Sequence, residues 1–258
     1  MKNPVYLYAW ISVDTDRIPP TLGGGGGAWR EIERPTTAAA NLACDAAQAL
    51  LAGVTPPQRD CAGLFIGNTI GSLRDDAAFD LSRVADGGKY PNPNVFRRTL
   101  PSSIATEMTI DLGLHGPVVV YAAGAASAAV ACVRGRDYVR RGWAEMAIVG
   151  GIEIWTTGNH GSVAKPGVPI DAAACSQPRD AGERSQIVLA LVATADFVAG
   201  RRPMGEFVQG RLDGSKLYSP GQMDCSLGSL VDLLATGQGR MVVDGGMGIQ
   251  ALLELKRR

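Results

Sequence analysis

The residues from Gly116 to Val130 read as a buried strand that breaks at a small-residue turn and enters a helix. Such an elbow lifts one side chain clear of a sheet, and in enzymes that side chain is a thiol or hydroxyl that attacks a carbonyl carbon. Here the apex is built from glycine and alanine, so the position best suited to covalent chemistry carries none. Two nucleophile types lie close by. Ser127 is placed to cap the helix that follows, and it is also the residue through which a relocated nucleophile would act. Cys132 falls about two helical turns past Ala125, a packing position.

Proton-transfer and metal chemistry are equally thin. The chain has two histidines. His115 precedes Gly116-Pro117 in a loop and suits a surface or interface place. His160, in Gly158-Asn159-His160-Gly161, suits a loop lining a site, but no partner for it is identifiable. Five cysteines, Cys44, Cys61, Cys132, Cys175 and Cys225, are odd in number, show no ligand spacing, and read as buried free thiols. The run Gly23 to Gly27 lacks the Lys-Ser/Thr of a phosphate-binding loop and reads as a surface loop. No metal and no cofactor are expected.

The elements that must hold these residues alternate between short apolar runs and longer helical stretches, which argues for an α/β layered architecture with a mixed sheet. Pro4 to Val13 reads as a strand. Thr36 to Leu51 is alanine-rich and helical, stopped by Gly53 and Pro56-Pro57. Ala62 to Ser72 is a buried strand that breaks into glycines, and Asp75 to Val84 is helical. Between Asn92 and Ile110 a helix starts only after Pro101. Beyond the elbow come an amphipathic helix from Ala126 to Arg141, a strand at Ala147 to Val149 closing on Gly150-Gly151, and a helix at Ser226 to Leu234.

The strand, elbow and helix after Gly116-Pro117, followed by Arg141-Gly142-Trp143-Ala144-Glu145-Met146-Ala147-Ile148-Val149-Gly150-Gly151-Ile152-Glu153, resemble the signature of the β-ketoacyl synthases of the thiolase-like superfamily. Ala62 to Ser72, Asn92 to Ile110, and Pro178 to Val192 are similar to further segments of that family, with Arg179 at an aromatic position and Arg184 at a glycine position. Thr194 to Leu212 resembles the close of the family's N-terminal half, and Asp244 to Glu254 its closing strand. In active members the elbow reads Ala-Cys-x-Ser-Gly, so matching on the serine puts Ala125 at the cysteine. The resemblance implies a thiolase-like layered α/β/α/β/α fold in a single domain, residues 1–258, with an N-terminal half at 1–212 and a C-terminal half shortened to 213–258. Neither of the family's catalytic histidines is matched. Ser219-Pro220-Gly221-Gln222 is similar to the remnant of one histidine segment, with Gln222 where the histidine would stand.

Decarboxylative condensation needs a cysteine to hold the acyl chain, two histidines to polarise a thioester carbonyl, and backbone N–H groups to stabilise the oxyanion. With those side chains unmatched, the resemblance implies a non-catalytic subunit like the chain-length factor of polyketide and polyene systems. Its partners would be an active ketosynthase in a heterodimer and, through the complex, an acyl carrier protein. By the same resemblance Val118, Val119, Val120 and Tyr121 supply an interface strand. Phe96, Thr99, Leu100, Pro101, Ile104 and Met108 approach the partner's acyl tunnel, with Phe96, Thr99, Leu100 and Met108 at its floor. Ordinary packing is the alternative for each of those four. Two other functions stay open: a free-standing acyltransferase using Ser127, and a purely structural stabiliser of a ketosynthase.

Composition sets the outer bounds. A chain of 258 residues, 46% hydrophobic and 6% aromatic, is long enough for one large domain packed with small residues. Twenty-five basic and twenty-five acidic residues give a formal charge of zero, which favours neither nucleic acid nor an anionic membrane as partner and leans towards association with protein. No apolar run reaches the ~20 residues of a spanning helix. The N-terminus shows no basic segment followed by an apolar one, so a cytoplasmic location is expected.

Overall fold

Seven consecutive residues, Ile187 to Ala193, are buried, and this run sets the architecture. Successive strand residues point to opposite faces, so a strand buried throughout must lie between two covering layers. Ile187, Leu189, Leu191 and Ala193 enter one core, and Val188, Ala190 and Val192 enter the other. The computed structural model describes residues 3–15, 38–69, 71–85, 87–89, 93–156, 183–194, 201–209, 225–246 and 249–256.

The elements run β1 (Val5–Thr15), α1 (Ala38–Leu50), α2 (Pro56–Asp60), β2 (Ala62–Gly67), α3 (Leu73–Ala85), α4 (Pro93–Phe96), a 3-10 helix (Arg97–Thr99), α5 (Ser103–Leu112), β3 (Val118–Tyr121), α6 (Ser127–Arg140), β4 (Met146–Thr156), β5 (Glu183–Thr194), β6 (Gly205–Gln209), α7 (Cys225–Thr236), β7 (Gly239–Gly246) and β8 (Ile249–Lys256). All eight strands join one sheet in the order β3-β2-β4-β5-β1-β6-β8-β7. β2 is parallel to both β3 and β4, and every other neighbouring pair is antiparallel.

Helices α1 and α5 cover one face, where Ala43, Ala47, Leu50, Met108 and Leu112 meet Leu64, Ile148, Leu189 and Leu191. Helices α6 and α7 cover the other, where Ala128, Cys132, Leu230 and Leu234 meet Phe65, Val149, Val188 and Phe207. Alanine on α1 and α6 lets both helices sit close to the sheet, and the large residues come from the strands. Phe65 is wholly buried and stacks against Tyr138 of α6 with ring centres 4.9 Å apart. The described residues thus form three layers, α/β/α. β6, β8 and β7 extend the same sheet, because Val5 to Leu7 of β1 pair with Gly205 to Phe207.

β4 is longer than the Ala147–Val149 expected from the sequence. Its antiparallel pairing with β5 continues to Thr156, opposite Glu183, so the glycine pair lies inside the strand instead of ending it. The Gly23–Gly27 run, Cys175, His160, Arg179 and Gln222 lie outside the described residues. Among the described residues no helix is long and apolar enough to cross a membrane, and no group of three His, Cys, Asp or Glu is placed to hold a metal ion.

Phe65→Ala removes a ring from the centre of the α6 face. The expected loss of stability is about 3–5 kcal/mol, read as a lowered midpoint in chemical denaturation of the isolated chain.

Candidate functional site

In α/β sheets the ligand end is where the parallel strands finish, because loops leaving that edge meet helix N-termini. Three parallel strands finish here together. β2 ends at Gly67, β3 at Tyr121 beside it, and β4 passes Gly151, which pairs with Gly67. The turn Ala122–Ala126 after β3 is the elbow, and Asn68, directly after β2, lies against it.

The elbow is closed by its own backbone. Ala126 N–H donates to the Ala123 carbonyl at 3.2 Å and Ser127 N–H to the Gly124 carbonyl at 3.1 Å. Two of its amides are therefore committed internally and unavailable to an oxyanion. Gly124 turns the chain with a φ of +57°, the left-handed region that favours glycine. Ala125, at the apex, is half-buried and presents a methyl group.

Ser127 does not cap the helix as the sequence suggests. The cap position belongs to Ala126, which makes no side-chain cap bond, and Ser127 is the first helical residue. Its hydroxyl turns back into the elbow, where it accepts the Ala123 N–H at 2.8 Å and faces the Gly124 carbonyl at 2.6 Å and the Asn68 carbonyl at 3.2 Å. The side chain is fully buried. Its single proton faces carbonyl oxygens, it has no access to solvent, and among the described residues no general base is bonded to it.

Three residues that the sequence reading did not single out complete the arrangement. Asn68, buried, donates its backbone N–H to the Tyr121 carbonyl at 2.9 Å and accepts the Gly71 N–H on its side-chain oxygen at 2.6 Å. Glu153, only 2% exposed and two residues beyond the glycine pair in β4, accepts the Thr69 N–H at 2.6 Å. Ser72 donates its hydroxyl to the Thr99 carbonyl. The signal was present as polar residues directly following apolar runs, in Gly67-Asn68-Thr69 and Gly151-Ile152-Glu153.

Gly67 makes this closeness sterically allowed. A Cβ at that position would fall within the Ser127 and Ala128 backbone, so the first turn of α6 rests directly on the end of β2.

The other chemistry-bearing residues sit elsewhere. Burial pushes the Cys132 thiol up to about 12. The Cys44 thiol also rises to about 12, through burial and the nearby Asp111 carboxylate. Neither forms a thiolate at neutral pH. His115 lies at the opposite end of β3 from the elbow, exposed, with Nδ1 2.9 Å from the Asp60 carboxylate.

Of the residues assigned to an interface or tunnel, β3 holds Val118, Val119, Val120 and Tyr121 at the edge of the sheet. Val118 is exposed and the other three are half-buried. Burial raises the Tyr121 phenol and Arg134 partly offsets that, so it remains a neutral hydrogen-bonding group. Phe96 and Leu100 are each 54% exposed, Pro101 is exposed, and Thr99 and Ile104 are half-buried. Met108 differs from these: it is wholly buried in the α1–α5 core, where it contacts no surface. Helix α5 packs beside β3, so the exposed segment and the edge strand belong to one side of the molecule.

Residues 28–176, more than half of the chain, match the beta-ketoacyl synthase N-terminal domain. Solved structures share the fold at low sequence identity. The ishigamide ketosynthase/chain length factor aligns with a TM-score of 0.53 at 18% identity, over 79% of this chain and 65% of that one. A ketosynthase in complex with its chain length factor from Xenorhabdus doucetiae aligns at 0.52 and 14% identity, over 99% and 100%. A beta-ketoacyl synthase from Burkholderia phymatum STM815 aligns at 0.57 and 16% identity, over 85% and 67%. The chain therefore spans less than two thirds of the first of these and the whole length of the second. No curated protein is matched by the sequence.

Ser127→Ala strands the buried Ala123 N–H. The expected cost is about 1–3 kcal/mol in denaturant unfolding, and a variant as stable as the parent would remove Ser127 from its structural role.

Proposed function

The chain belongs to the beta-ketoacyl synthase family, and on that premise we propose that it is a non-catalytic, chain-length-factor-like subunit that pairs with an active ketosynthase in polyketide or polyene biosynthesis. The observation that carries this reading is the elbow itself: its strand, turn and helix are fully built, and its apex at Ala125 has a methyl group where a thiol would bond to the acyl chain. The burial and bonding of Ser127 support this over a free-standing acyltransferase, since a nucleophile needs a base and a path for substrate.

Pairing is supported by β3. It is an edge strand of four residues with its outer side unpaired among the described residues, and open edges of this kind take a strand from another chain. Val118 there, Ile110 on α5, and Phe96 and Leu100 just before α5 are large apolar residues left exposed. A chain with zero formal charge and such a side gains by covering it. In this reading the partner supplies the cysteine and histidines and receives acyl carrier protein. The present chain contributes part of the tunnel wall through Phe96, Thr99, Leu100, Pro101 and Ile104. Met108 would act only by supporting them from the core.

Two experiments test this. Incubation of the purified chain with an acyl thioester, followed by intact mass measurement, is expected to give no covalent adduct, while a co-expressed ketosynthase from the same gene neighbourhood is acylated. An adduct on this chain overturns the non-catalytic assignment. In the reconstituted pair, Phe96→Ala and Leu100→Ala are expected to shift the distribution of product lengths upwards with the pair still assembled. Unchanged lengths in both would defeat the proposed role in the tunnel.

A further inference from the structure

Helix α3 begins directly after Ser72, the place where a serine normally bonds its own helix backbone. Here the hydroxyl instead donates across to the Thr99 carbonyl, with the Asp76 carboxylate oxygens more distant at 3.4 Å. Thr99 in turn donates its own hydroxyl to the Phe96 carbonyl at 2.8 Å. The Phe96 ring rests against Phe79 of α3 with centres 5.3 Å apart. On the other side of Ser72, Gly71 is bonded to the Asn68 side chain, and the Asn68 carbonyl faces the Ser127 hydroxyl inside the elbow. A continuous set of contacts therefore runs from the elbow through the 68–72 turn to the exposed 96–100 segment.

We propose that Ser72 is a positioning residue for product length: its bond to Thr99 fixes where Phe96 and Leu100 stand relative to the elbow. This rests on the reading that the 96–100 segment faces a ketosynthase partner's tunnel. The physical basis is that Phe96 and Leu100 are more than half exposed and so receive little positioning from the core. Their place is set by a few local bonds: Ser103 donates its hydroxyl to the Arg97 carbonyl, Arg97 pairs with Glu107, and among the described residues Ser72 makes the bond that ties the segment to Gly71 and Asn68. Losing it leaves the buried elbow unchanged and lets the segment move.

The test uses Ser72→Ala and Ser72→Thr, in the full chain alone and paired with its ketosynthase. In the pair, Ser72→Ala is expected to broaden product lengths with total turnover and pairing affinity within about twofold of the parent, and Ser72→Thr, which keeps the hydroxyl, to restore the parent distribution. In the chain alone, hydrogen exchange at Ser103 and Thr106, whose N–H groups donate to the Leu100 and Ser102 carbonyls, is expected to quicken roughly two- to tenfold in Ser72→Ala. Exchange at Ala126, Ser127 and Val130 in the elbow should not change. A parent-like length distribution in Ser72→Ala beside a shifted one in Phe96→Ala overturns the proposal and leaves the tunnel reading standing. Parent-like lengths in both variants, with faster exchange at Ser103 and Thr106, overturn the tunnel reading and with it the length role of Ser72. Equal quickening in the elbow shows a general loss of stability and also overturns it, and this last measurement decides the matter if Ser72→Ala fails to pair.

Discussion

The contact on which the site depends is the seating of the first turn of α6 against the end of β2. Gly67 leaves no side chain in the way, Gly124 reverses the chain, and the Ser127 hydroxyl closes the turn. None of these three is the apex residue. The shape of the elbow is thus set independently of the group it would present, and Ala125 can carry a methyl without any change in the fold around it. That separation is a physical reason why the shape of such an elbow does not depend on which residue stands at its apex: the constraints on shape come from close packing, which a change at the apex does not touch.

The sheet distributes its roles unevenly. In its antiparallel middle, β5 and the first halves of β4 and β1 are buried on both faces and join the two cores. Its parallel end, β4, β2 and β3, converges the turns that form the elbow, and finishes in a short edge strand. On the proposed reading, stability and recognition fall to different strands. Changes near β3 and the 96–100 segment can alter what the protein meets while the β5-centred core holds the fold.

Much of this was legible from residue order. The stretch from Pro178 to Val192 is placed by its resemblance to a family segment that leads into an apolar strand, and the elbow announces itself through small residues between an apolar strand and a helix. What escaped the sequence were directions. Serine beside a helix start usually caps it, and only the tight turn from Ala123 shows that the Ser127 hydroxyl points backwards. Phe96, Leu100 and Met108 are all large and apolar within thirteen residues, yet the first two are exposed and the third is core. The difference arises because Met108 is a full helical turn inside α5, facing α1, whereas Phe96 and Leu100 flank the 3-10 helix outside it. Asn68 and Glu153 were hidden for a related reason: their importance lies in which backbone amide each reaches, a tertiary fact.

Holding a partner and shaping its product are separable tasks, and the two regions proposed for them have different mechanics. β3 is built into the sheet by its ladder with β2, from Leu64–Val118 to Gly67–Tyr121, so its position is as fixed as the core. The 96–100 segment is attached through a short 3-10 helix, one aromatic contact and side-chain to backbone bonds, each worth on the order of 1 kcal/mol. A rigid edge suits a permanent pairing, because any mobility there would be lost on assembly at a cost in affinity. A lightly tethered segment suits the wall of a tunnel, since modest changes in its bonds can move a side chain by a fraction of its own width while the pairing surface stays where it was.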